Sequence, residues 1–279
     1  MCRVSLKEMS GSICLSPYSK MSKIVKLLRS CCIPYRVIPL ERVENGSRTR
    51  VNETVAVESD IEIRVDGQLV TALSCSPGLE RELAIGHVLS TGVIKSPAPI
   101  MAVDRAGRVC NVKLRSYAPD LTAGMKSSVS GRQLSKAGHD SGQAMISAQE
   151  VGAIGQQLES AQALHGATGG AHAALIEHSE THELVVAEDL SRHNAVDKVI
   201  GLAVLKEFDL TKYRLFVTGR LTSDLVRKCI RVSLPLVVSY AVATDTAVAA
   251  ARAAGLTVLG SLKASGFWLY NEGAVKVSP

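Results

Sequence analysis

Residues 184–206 have the sequence LVVAEDLSRHNAVDKVIGLAVLK, and residues 214–232 have the sequence RLFVTGRLTSDLVRKCIRV. Each stretch begins with a short apolar run and continues with apolar residues at helical spacing. Between the two parts lie polar residues that are good helix N-caps, Ser191 in the first stretch and Thr222 in the second. The pattern predicts two consecutive strand–helix units, which are typical of an α/β domain.

The alternation of strand and helix patterns continues on both sides of these stretches. Gly255 follows the last predicted helix, where glycine commonly ends a helix. We therefore expect residues 146–279 to form a layered α/β domain, with helices covering a largely parallel sheet. The further predicted elements are a helix over 149–164, strands over 172–176 and 235–240, a helix over 245–254, and strands over 256–259 and 267–270.

Residues 35–120 show a different pattern, in which glycine-containing turns separate short apolar alternations. Asp66-Gly67 and Ala106-Gly107 each lie between two such alternations, and each predicts a β-hairpin. Apolar residues at helical spacing over 79–89 predict one helix. These features predict a smaller α+β lobe. A mobile loop over residues 121–145, rich in Ser, Gly and Lys, is expected to join it to the α/β domain.

Composition and charge place the chain among ordinary soluble globular proteins. Its 279 residues are 46% hydrophobic and 21% charged, and this length is close to that at which one core divides into two lobes. No apolar run is long enough to cross a bilayer, so no membrane association is expected.

The excess of positive charge belongs to the N-terminus. The net charge is +6, and residues 1–50 hold ten basic residues against three acidic ones, so the rest of the chain is near neutral. Residues 1–34 are expected to form a basic, disordered arm, with a transit peptide or a tether as the alternative. Nucleic-acid binding by this arm is one hypothesis for function, but the neutral body and an aromatic content of 4% argue against it.

The seven cysteines are at positions 2, 14, 31, 32, 75, 110 and 229, and no pair has the C-x-x-C spacing of a zinc site or a redox dithiol. Cys75, Cys110 and Cys229 look like reduced, partly buried thiols, and they indicate a cytoplasmic protein. His178 and His182 have i, i+4 spacing but lie in a predicted hairpin turn rather than on a helix. No metal site is predicted.

Three junctions between predicted strands and helices carry glycines, arginines or N-cap residues. In an α/β sheet, ligands bind beyond the carboxyl ends of the strands, where helix N-termini point free amides outward. Arg192 and Arg220 each lie near the start of a helix, and the pair predicts a site for phosphate or pyrophosphate. The alternative is that the acidic residues at 188–189 and Arg192 only cap and pair with one another. His172 and His193 are candidates for ligand contact or proton transfer.

At these junctions the sequence resembles the formate dehydrogenase accessory protein family, FdhD/NarQ. The resemblance rests on TGGAHAA at 168–174, on RHNAVDK at 192–198, and on Gly219-Arg220 with Ser223, and it covers about residues 35–275. It implies a sulfurtransferase that takes persulfide sulfur from a cysteine desulfurase. The sulfur then passes to the molybdenum bis(molybdopterin guanine dinucleotide) cofactor of formate dehydrogenase. The resemblance also implies a cytidine-deaminase-like fold for the α/β domain, and we expect a homodimer.

The resemblance and the junctions together define the expected site for the molybdenum cofactor or a guanine nucleotide. Arg192, Arg220 and Lys198 would hold phosphates together with helix amides, and Asp189 or Asp197 would orient the arginines. The expected cofactor-binding residues are Gly169, Gly170, His172, Asp189, Arg192, His193, Asn194, Asp197, Lys198, Gly219, Arg220, Ser223, Thr244, Ser261, Leu262, Lys263, Ala264, Ser265 and Gly266.

The loop that carries the family's two thiols has a different sequence in this chain. The family motif is Cys-Gly-Val-Cys-Gly, and the corresponding residues 127–131 are Ser-Ser-Val-Ser-Gly. A hydroxyl cannot carry a persulfide, so no catalytic residue is predicted at Ser127 or Ser130, and enzyme activity is left undecided. Two alternatives stay open: one of the cysteines at 75, 110 and 229 has taken over the sulfur, or the chain is a non-catalytic paralogue that binds a nucleotide or a partner protein. A deaminase reaction is not supported, because the zinc signature of deaminases is missing.

Overall fold

The computed structural model describes residues 34–115 and 144–279. The predicted arm up to residue 33 and the predicted loop up to residue 143, with Ser127 and Ser130, lie outside the described residues. The strands are β1 (Tyr35–Glu44), β2 (Ser47–Ala56), β3 (Ser59–Val65), β4 (Gln68–Cys75), β5 (Ile100–Ala106), β6 (Val109–Leu114), β7 (Met145–Ser147), β8 (His172–His178), β9 (Leu184–Asp189), β10 (Tyr213–Val217), β11 (Leu236–Ser239), β12 (Thr257–Lys263), β13 (Gly266–Asn271) and β14 (Lys276–Ser278). The helices are α1 (Glu80–Ser90), α2 (Ala148–Ser160), α3 (Ala163–Thr168), α4 (Arg192–Leu205), α5 (Ser223–Arg231) and α6 (Asp245–Ala254), with a 3-10 turn at Leu210–Lys212.

A six-stranded sheet forms the centre of the C-terminal part of the chain, with the strand order β13-β12-β11-β10-β8-β9. Strands β10, β11 and β12 run parallel, whereas β8 is antiparallel to β10, β9 to β8, and β13 to β12. The expectation of a largely parallel sheet is therefore wrong. Residues 179–183 and 264–265 join neighbouring strands directly, and connections this short permit only antiparallel pairing.

Helices cover both faces of this sheet. On one face, α4, α5 and α6 share a core with Leu215 of β10, to which Ile200 and Leu225 contribute. On the other face, α2 buries Leu158 in a core with Phe216 of the same strand. Leu215 and Phe216 belong to different cores because successive side chains of a strand point to opposite faces. The α/β class is confirmed, and the cytidine-deaminase-like layering stays a prediction.

The single helix predicted over residues 149–164 is two helices in the structure. Helix α2 begins with a capping box, in which Ser147 Oγ accepts the Glu150 N–H at 3.2 Å and the Glu150 carboxylate accepts the Ser147 N–H at 2.9 Å. It ends at Ser160, and α3 follows after a break of two residues. The Glu188 carboxylate accepts the N–H groups of Leu164 and His165, at 2.8 and 2.9 Å, and so stabilises a separate helix start.

Residues 59–114 contain a four-stranded sheet with the order β4-β3-β6-β5, against which α1 packs. Both predicted hairpins and the predicted helix are confirmed. Asp66 and Gly67 have φ angles of 47° and 81°, as a type I′ turn requires. Ile63 and Leu83 belong to the core that joins this sheet to α1.

The hairpin β1–β2 is a separate two-stranded sheet that the pattern analysis missed, as it also missed β7 and β14. Its register pairs Tyr35 with Ala56 and Glu44 with Ser47. The turn is Asn45-Gly46, with φ angles of 49° and 77°. An Asn-Gly pair is among the strongest hairpin signals, so the sequence does carry the information. The strands themselves lack a clear alternation because both of their faces are largely exposed.

Helices α1 and α4 approach each other so closely that their backbones touch. A Cβ atom at Gly86 of α1 would overlap the carbonyl oxygen of Asp197 on α4, and a Cβ atom at Gly201 of α4 would overlap the carbonyl oxygen of Glu82 on α1. Each helix therefore needs a glycine where it meets the other. This contact joins the four-stranded sheet to the six-stranded one.

We expect Gly86→Ala and Gly201→Ala each to lower the free energy of unfolding by about 1–3 kcal/mol or more, because a backbone carbonyl cannot move aside as a side chain can. Gly152→Ala is the matched control, because it lies inside α2 with open space around its Cβ direction. It is expected to raise stability by roughly 0.5–1 kcal/mol. Urea denaturation of the three variants is the measurement, and a Gly86→Ala protein as stable as the wild type would contradict the close-contact argument.

Candidate functional site

One edge of the six-stranded sheet collects the polar junctions that the sequence singles out. Strands β9, β10, β11 and β12 end at this edge, and β8 and β13 begin there. We call this row of segments the carboxyl edge. The strand order brings the predicted junctions together along it in the order 189–192, 169–172, 218–220, 239–244 and 261–266.

Two arginines lie at the carboxyl edge. Arg192 is the first residue of α4, and its aliphatic chain packs on Gly219, where a Cβ atom would lie 2.7 Å from Arg192 Cβ. The Arg192 Nε atom is buried and has no hydrogen-bond partner among the described residues, and the same holds for Thr222 Oγ1. Arg220 is exposed to solvent. Buried donors without partners are rare in proteins, and these two point to a ligand group that accepts hydrogen bonds.

Helix α5 begins at this edge without a side-chain cap. Thr222 is its N-cap residue, but its hydroxyl makes no capping hydrogen bond, and Ser223 is the first helical residue. Helix α4 differs, because Ser191 Oγ accepts the His193 N–H at 3.3 Å. The uncapped amides of α5 therefore face the carboxyl edge next to Arg220, and free N–H groups at a helix start favour anions.

His172 lies at the start of β8 among these cations. Its Nδ1 is 3.3 Å from Thr218 Oγ1. Burial lowers the pKa of His172, and the charges of Arg192, His165 and Arg220 lower it further. The His172 ring is therefore mainly neutral at pH 7. Because several positive groups act on His172, the electrostatic potential at this site is strongly positive.

His193 is half-buried at the start of α4. Burial and the charges of Lys228 and Arg192 lower the pKa of His193 to about 4. A neutral imidazole at this position can donate or accept one hydrogen bond at pH 7, but it adds no positive charge to the site.

Asp189, Asn194 and Lys198 form a buried cluster that faces the N-terminal part of the chain. Lys198 Nζ lies 2.7 Å from Asp189 Oδ2 and donates to the carbonyl oxygen of Ser76 at 3.0 Å. Asp189 also accepts the backbone N–H of Ser76 at 3.1 Å and the Asn194 amide at 3.0 Å. Asn194 in turn donates to the carbonyl oxygen of Ser74 at 2.8 Å. These hydrogen bonds connect the end of β9 and the start of α4 to the end of β4 and the segment that follows it.

Asp197, which also lies on α4, is the centre of a second buried cluster. Lys228 Nζ lies 2.6 Å from both of its carboxylate oxygens, Ser90 Oγ donates to Oδ1 at 2.6 Å, and His87 Nδ1 lies 3.1 Å from Oδ2. Burial alone would raise the pKa of Asp197, but Lys228 and His87 outweigh it and lower the pKa to about 2. The Asp197 carboxylate is therefore charged at neutral pH.

These contacts change the role expected for the acidic residues. The carboxylates of Asp189 and Asp197 are bound by Lys198 and Lys228, not by the arginines that they were expected to orient. The alternative, that the acidic residues and Arg192 cap and pair with one another, describes the structure only in part. Glu188 caps α3 and Asp189 accepts the N–H of Ser191 at 3.0 Å, but neither forms an ion pair with Arg192 in the described part of the chain. Direct contact of the buried residues with a ligand stays a prediction.

The remaining residues of the expected site lie elsewhere along the carboxyl edge. Gly169 ends α3 in a left-handed conformation, and Gly170 is exposed next to the base of the β1–β2 hairpin. Thr244 caps α6 through its hydroxyl. In the turn between β12 and β13, residues 263–266 are exposed, whereas the Leu262 side chain lies in a hydrophobic core and is not available to a ligand.

Sequence reasoning missed two groups at this edge. Thr218, directly after β10, accepts the Ala173 N–H at 3.0 Å and lies next to His172. His165 from α3 donates through Nδ1 to the carbonyl oxygen of Ala171 at 2.8 Å. Thr218 could have been found from its position at a strand end, but nothing in the pattern marked His165.

The cysteines of the described residues are all buried. Burial raises the pKa of Cys75 and of Cys229 to about 12 and that of Cys110 to about 11. Because the thiolate is the reactive form, these three side chains are nearly inert at neutral pH.

The FdhD/NarQ family model matches residues 56–275. The chain belongs to the FdhD/NarQ family. It is 31% identical over 249 residues to the sulfur carrier protein FdhD of Mycobacterium tuberculosis, with 79% of this chain and 90% of the relative covered. The sulfur carrier protein FdhD of Methanothermobacter thermautotrophicus is 27% identical over 243 residues, with 85% and 97% covered.

A solved structure described as a putative formate dehydrogenase accessory protein from Desulfotalea psychrophila has the same fold. The TM-score is 0.73 at 22% identity, and the match covers 86% of this chain and 97% of that one. Within residues 34–115 and 144–279, no helix combines the length and the apolar character needed to cross a membrane.

Breaking the buried Asp189–Lys198 pair should destabilise this FdhD/NarQ protein strongly. Lys198→Met leaves the Asp189 carboxylate buried without its cation, which costs about 3–5 kcal/mol of unfolding free energy. The control Lys212→Met alters an exposed lysine and should change stability by less than about 0.5 kcal/mol. Urea denaturation compares the variants, and the double variant Asp189→Asn, Lys198→Met should recover part of the loss. A loss at Lys198→Met as small as that of the control would show that the pair is not needed.

His193 should make the protein sensitive to acid. Its pKa is about 4 when folded and 6.5 when unfolded, so between these values the unfolded chain binds a proton that the native protein does not. Stability is therefore lost as the pH falls from 6.5 to 4. In His193→Gln the unfolding free energy should fall less over this range, whereas exposed His165→Gln should behave like the wild type. Denaturation series at several pH values measure this, and identical slopes for wild type and His193→Gln would contradict it.

Proposed function

We propose that this protein is an accessory protein of formate dehydrogenase maturation. Membership of the FdhD/NarQ family and the sulfur carrier function named for its relatives support the proposal. In this role the carboxyl edge holds the molybdenum bis(molybdopterin guanine dinucleotide) cofactor by its phosphates. The observation that carries the proposal is the pair of buried atoms without partners, Arg192 Nε and Thr222 Oγ1, beside the uncapped start of α5.

The residues present fit the phosphate groups of such a ligand. Phosphate oxygens only accept hydrogen bonds, and every free group at this position is a donor or can act as one: the Arg192 guanidinium, the Thr222 hydroxyl and the amides of α5. Exposed Arg220 can close over a bound phosphate without first breaking an ion pair with a described residue. The neutral His172 ring can donate one further hydrogen bond.

The length of the carboxyl edge suits a ligand larger than a single phosphate. Strands β10 and β12 are separated by β11, so their ends lie about 10 Å apart at the usual strand spacing. Lys263 in the turn after β12 is exposed and offers a second positive group at that distance. A guanine dinucleotide could extend from Arg192 and Arg220 toward this turn. When bound, the cofactor supplies the metal centre that accepts sulfur, and the protein residues bind and orient it.

A second function is favoured by the sequence at 127–131 and by the burial of the cysteines at 75, 110 and 229. Because neither set offers a reactive thiol, the chain could be a paralogue that binds a guanine nucleotide or a partner protein without transferring sulfur. The two functions differ in what the purified protein carries, because only the accessory function predicts a pterin released on denaturation. The cysteine desulfurase partner, the homodimer and the cytoplasmic location stay predictions.

Calorimetric titration with GDP tests the carboxyl edge. Charge-assisted hydrogen bonds contribute about 1.5–3 kcal/mol each, so Arg220→Ala should weaken GDP binding by roughly ten- to a hundredfold. Its thermal unfolding should match the wild type, since Arg220 is exposed. Arg252→Ala is the control, because this exposed arginine lies in the last turn of α6, at the end away from the carboxyl edge. Absence of GDP binding to the wild type, or equal affinities for both variants, would overturn the proposed site.

A further inference from the structure

His172 lies beside the segment that follows β10, and this segment carries several parts of the proposed phosphate site. Thr218 Oγ1 is 3.3 Å from His172 Nδ1. Gly219, the next residue, is covered by the aliphatic chain of Arg192, and the residue after it is the exposed Arg220. The imidazole ring is therefore next to both arginines that are expected to meet a phosphate.

The side chain of His172 points to the side of the sheet on which α4 and α5 begin. Ala173 belongs to the core shared with α2, and Ala174 belongs to the core shared with α4 and α5. Because alternate residues of a strand share a face, His172 lies on the same face as Ala174. The buried Arg192 Nε and Thr222 Oγ1 atoms, which have no partner among the described residues, belong to the starts of those two helices. A phosphate that satisfies these atoms binds on the same side of the sheet as the ring.

The hydrogen bonds around His172 leave one ring nitrogen available to a ligand. Nδ1 lies at the Thr218 hydroxyl, and Nε2 has no hydrogen-bond partner within residues 34–115 and 144–279. The Thr218 hydroxyl has the carbonyl oxygen of Ala173 at 3.4 Å as an acceptor for its single hydrogen. A neutral imidazole carries one N–H, so it can donate either to Thr218 Oγ1 or to a phosphate oxygen. An imidazolium donates to both at once.

The surroundings of His172 oppose its protonation before a ligand binds. Burial lowers the pKa of His172, and the charges of Arg192 at the start of α4, His165 on α3 and Arg220 after β10 lower it further. These cations belong to three different segments that meet at the ring. The neutral ring is therefore the favoured form at neutral pH.

The acidic residue paired with His172 in the sheet is already bound to another cation. Asp189 of β9 lies opposite His172 in register, but its Oδ2 atom is 2.7 Å from Lys198 Nζ. The charge balance at the ring is thus positive until an anion binds. An opposite charge within about 4–6 Å favours the charged form of an ionisable group and moves its pKa by about 1–3, so a phosphate beside the arginines favours the imidazolium.

We infer that His172 takes up a proton from solvent when a phosphate group binds beside Arg192 and Arg220, so that ligand binding at the carboxyl edge depends on pH. This inference rests on the proposed function and adds a regulating group to the same site. The imidazolium donates to Thr218 Oγ1 and to the phosphate together, and it supplies a further positive charge. A fall in pH therefore favours binding, and a rise in pH favours release.

Calorimetric titration with GDP in buffers of different ionisation enthalpy counts the protons that enter with the ligand. A terminal phosphate itself titrates with a pKa of about 6, so the wild type has to be compared with His172→Gln, in which the ligand contributes equally. The wild type should take up more protons than the variant, approaching one per GDP. The ratio of the wild-type affinity to the variant affinity should rise roughly three- to fiftyfold from about pH 8 to about pH 6.

A second measurement needs no change at His172. The ring resonances of His172 in the wild-type protein, followed by NMR across the same pH range, should titrate at higher pH with saturating GDP than without it. His178→Gln is the matched control, because His178 is at the opposite end of β8, about 20 Å along the strand. This control should keep the proton uptake and the pH profile of the wild type.

The outcomes distinguish failure of this inference from failure of the proposed function. If the wild type binds GDP with the proton uptake and pH profile of His172→Gln, or if GDP leaves the titration of the His172 ring unchanged, the inference is wrong and the carboxyl edge stands. Equal loss of proton uptake in His178→Gln would also overturn it. If the wild type binds no GDP at any pH in this range, the proposed site and the inference both fail.

Discussion

The contact between α1 and α4 is the constraint on which the rest of the structure depends. Gly86 and Gly201 bring the two helix backbones together, and at that distance no water can solvate the charges that α4 carries toward α1. Asp197 and Lys198 must therefore be neutralised within the protein. Lys228 and Asp189 supply the opposite charges, and the loop and helix after β4 supply the remaining hydrogen bonds. The C-terminal part thus supplies both counter-charges itself, and Ser76, His87 and Ser90 of the N-terminal part supply further hydrogen-bond partners, so the two parts share one polar cluster.

Residues 192–198 of α4 contribute both to the carboxyl edge and to the buried contact with the N-terminal part. Its residues divide by helical position: Arg192 and His193 lie toward the carboxyl edge, whereas Asn194, Asp197 and Lys198 are buried toward the N-terminal part. The buried set fixes the direction and depth of α4, and that placement leaves the Arg192 Nε atom buried without a partner. If the proposed anion site binds its ligand, these buried charges act as positioning residues for it, because they hold the helix that carries Arg192.

Sequence patterns predicted the features that depend on local interactions, namely turns and individual helices. The turn residues Asp66-Gly67 predicted a hairpin, and the spacing of apolar residues predicted helix α1. Because ligands bind beyond the carboxyl ends of the strands in an α/β sheet, Arg192 and Arg220 were expected at one edge. Strand direction was predicted incorrectly, because it depends on connection lengths across the whole sheet. The burial of Asp197 and Lys198 could not be foreseen, since a charged pair in a helix looks the same whether it faces solvent or another helix. The β1–β2 hairpin was missed although Asn45-Gly46 marked it.

A sulfur carrier has to combine two properties that a packed core excludes: a thiol with appreciable thiolate at neutral pH, and access to a donor and then to an acceptor. Burial of Cys75, Cys110 and Cys229 contributes to stability and removes both properties at once. A carrier thiol therefore belongs on a segment outside the core that is anchored close to the acceptor. Residues 127–131 hold serines at the two positions where the family motif has thiols. Sulfur transfer by this chain would therefore need a thiol other than the three that are buried in the described residues.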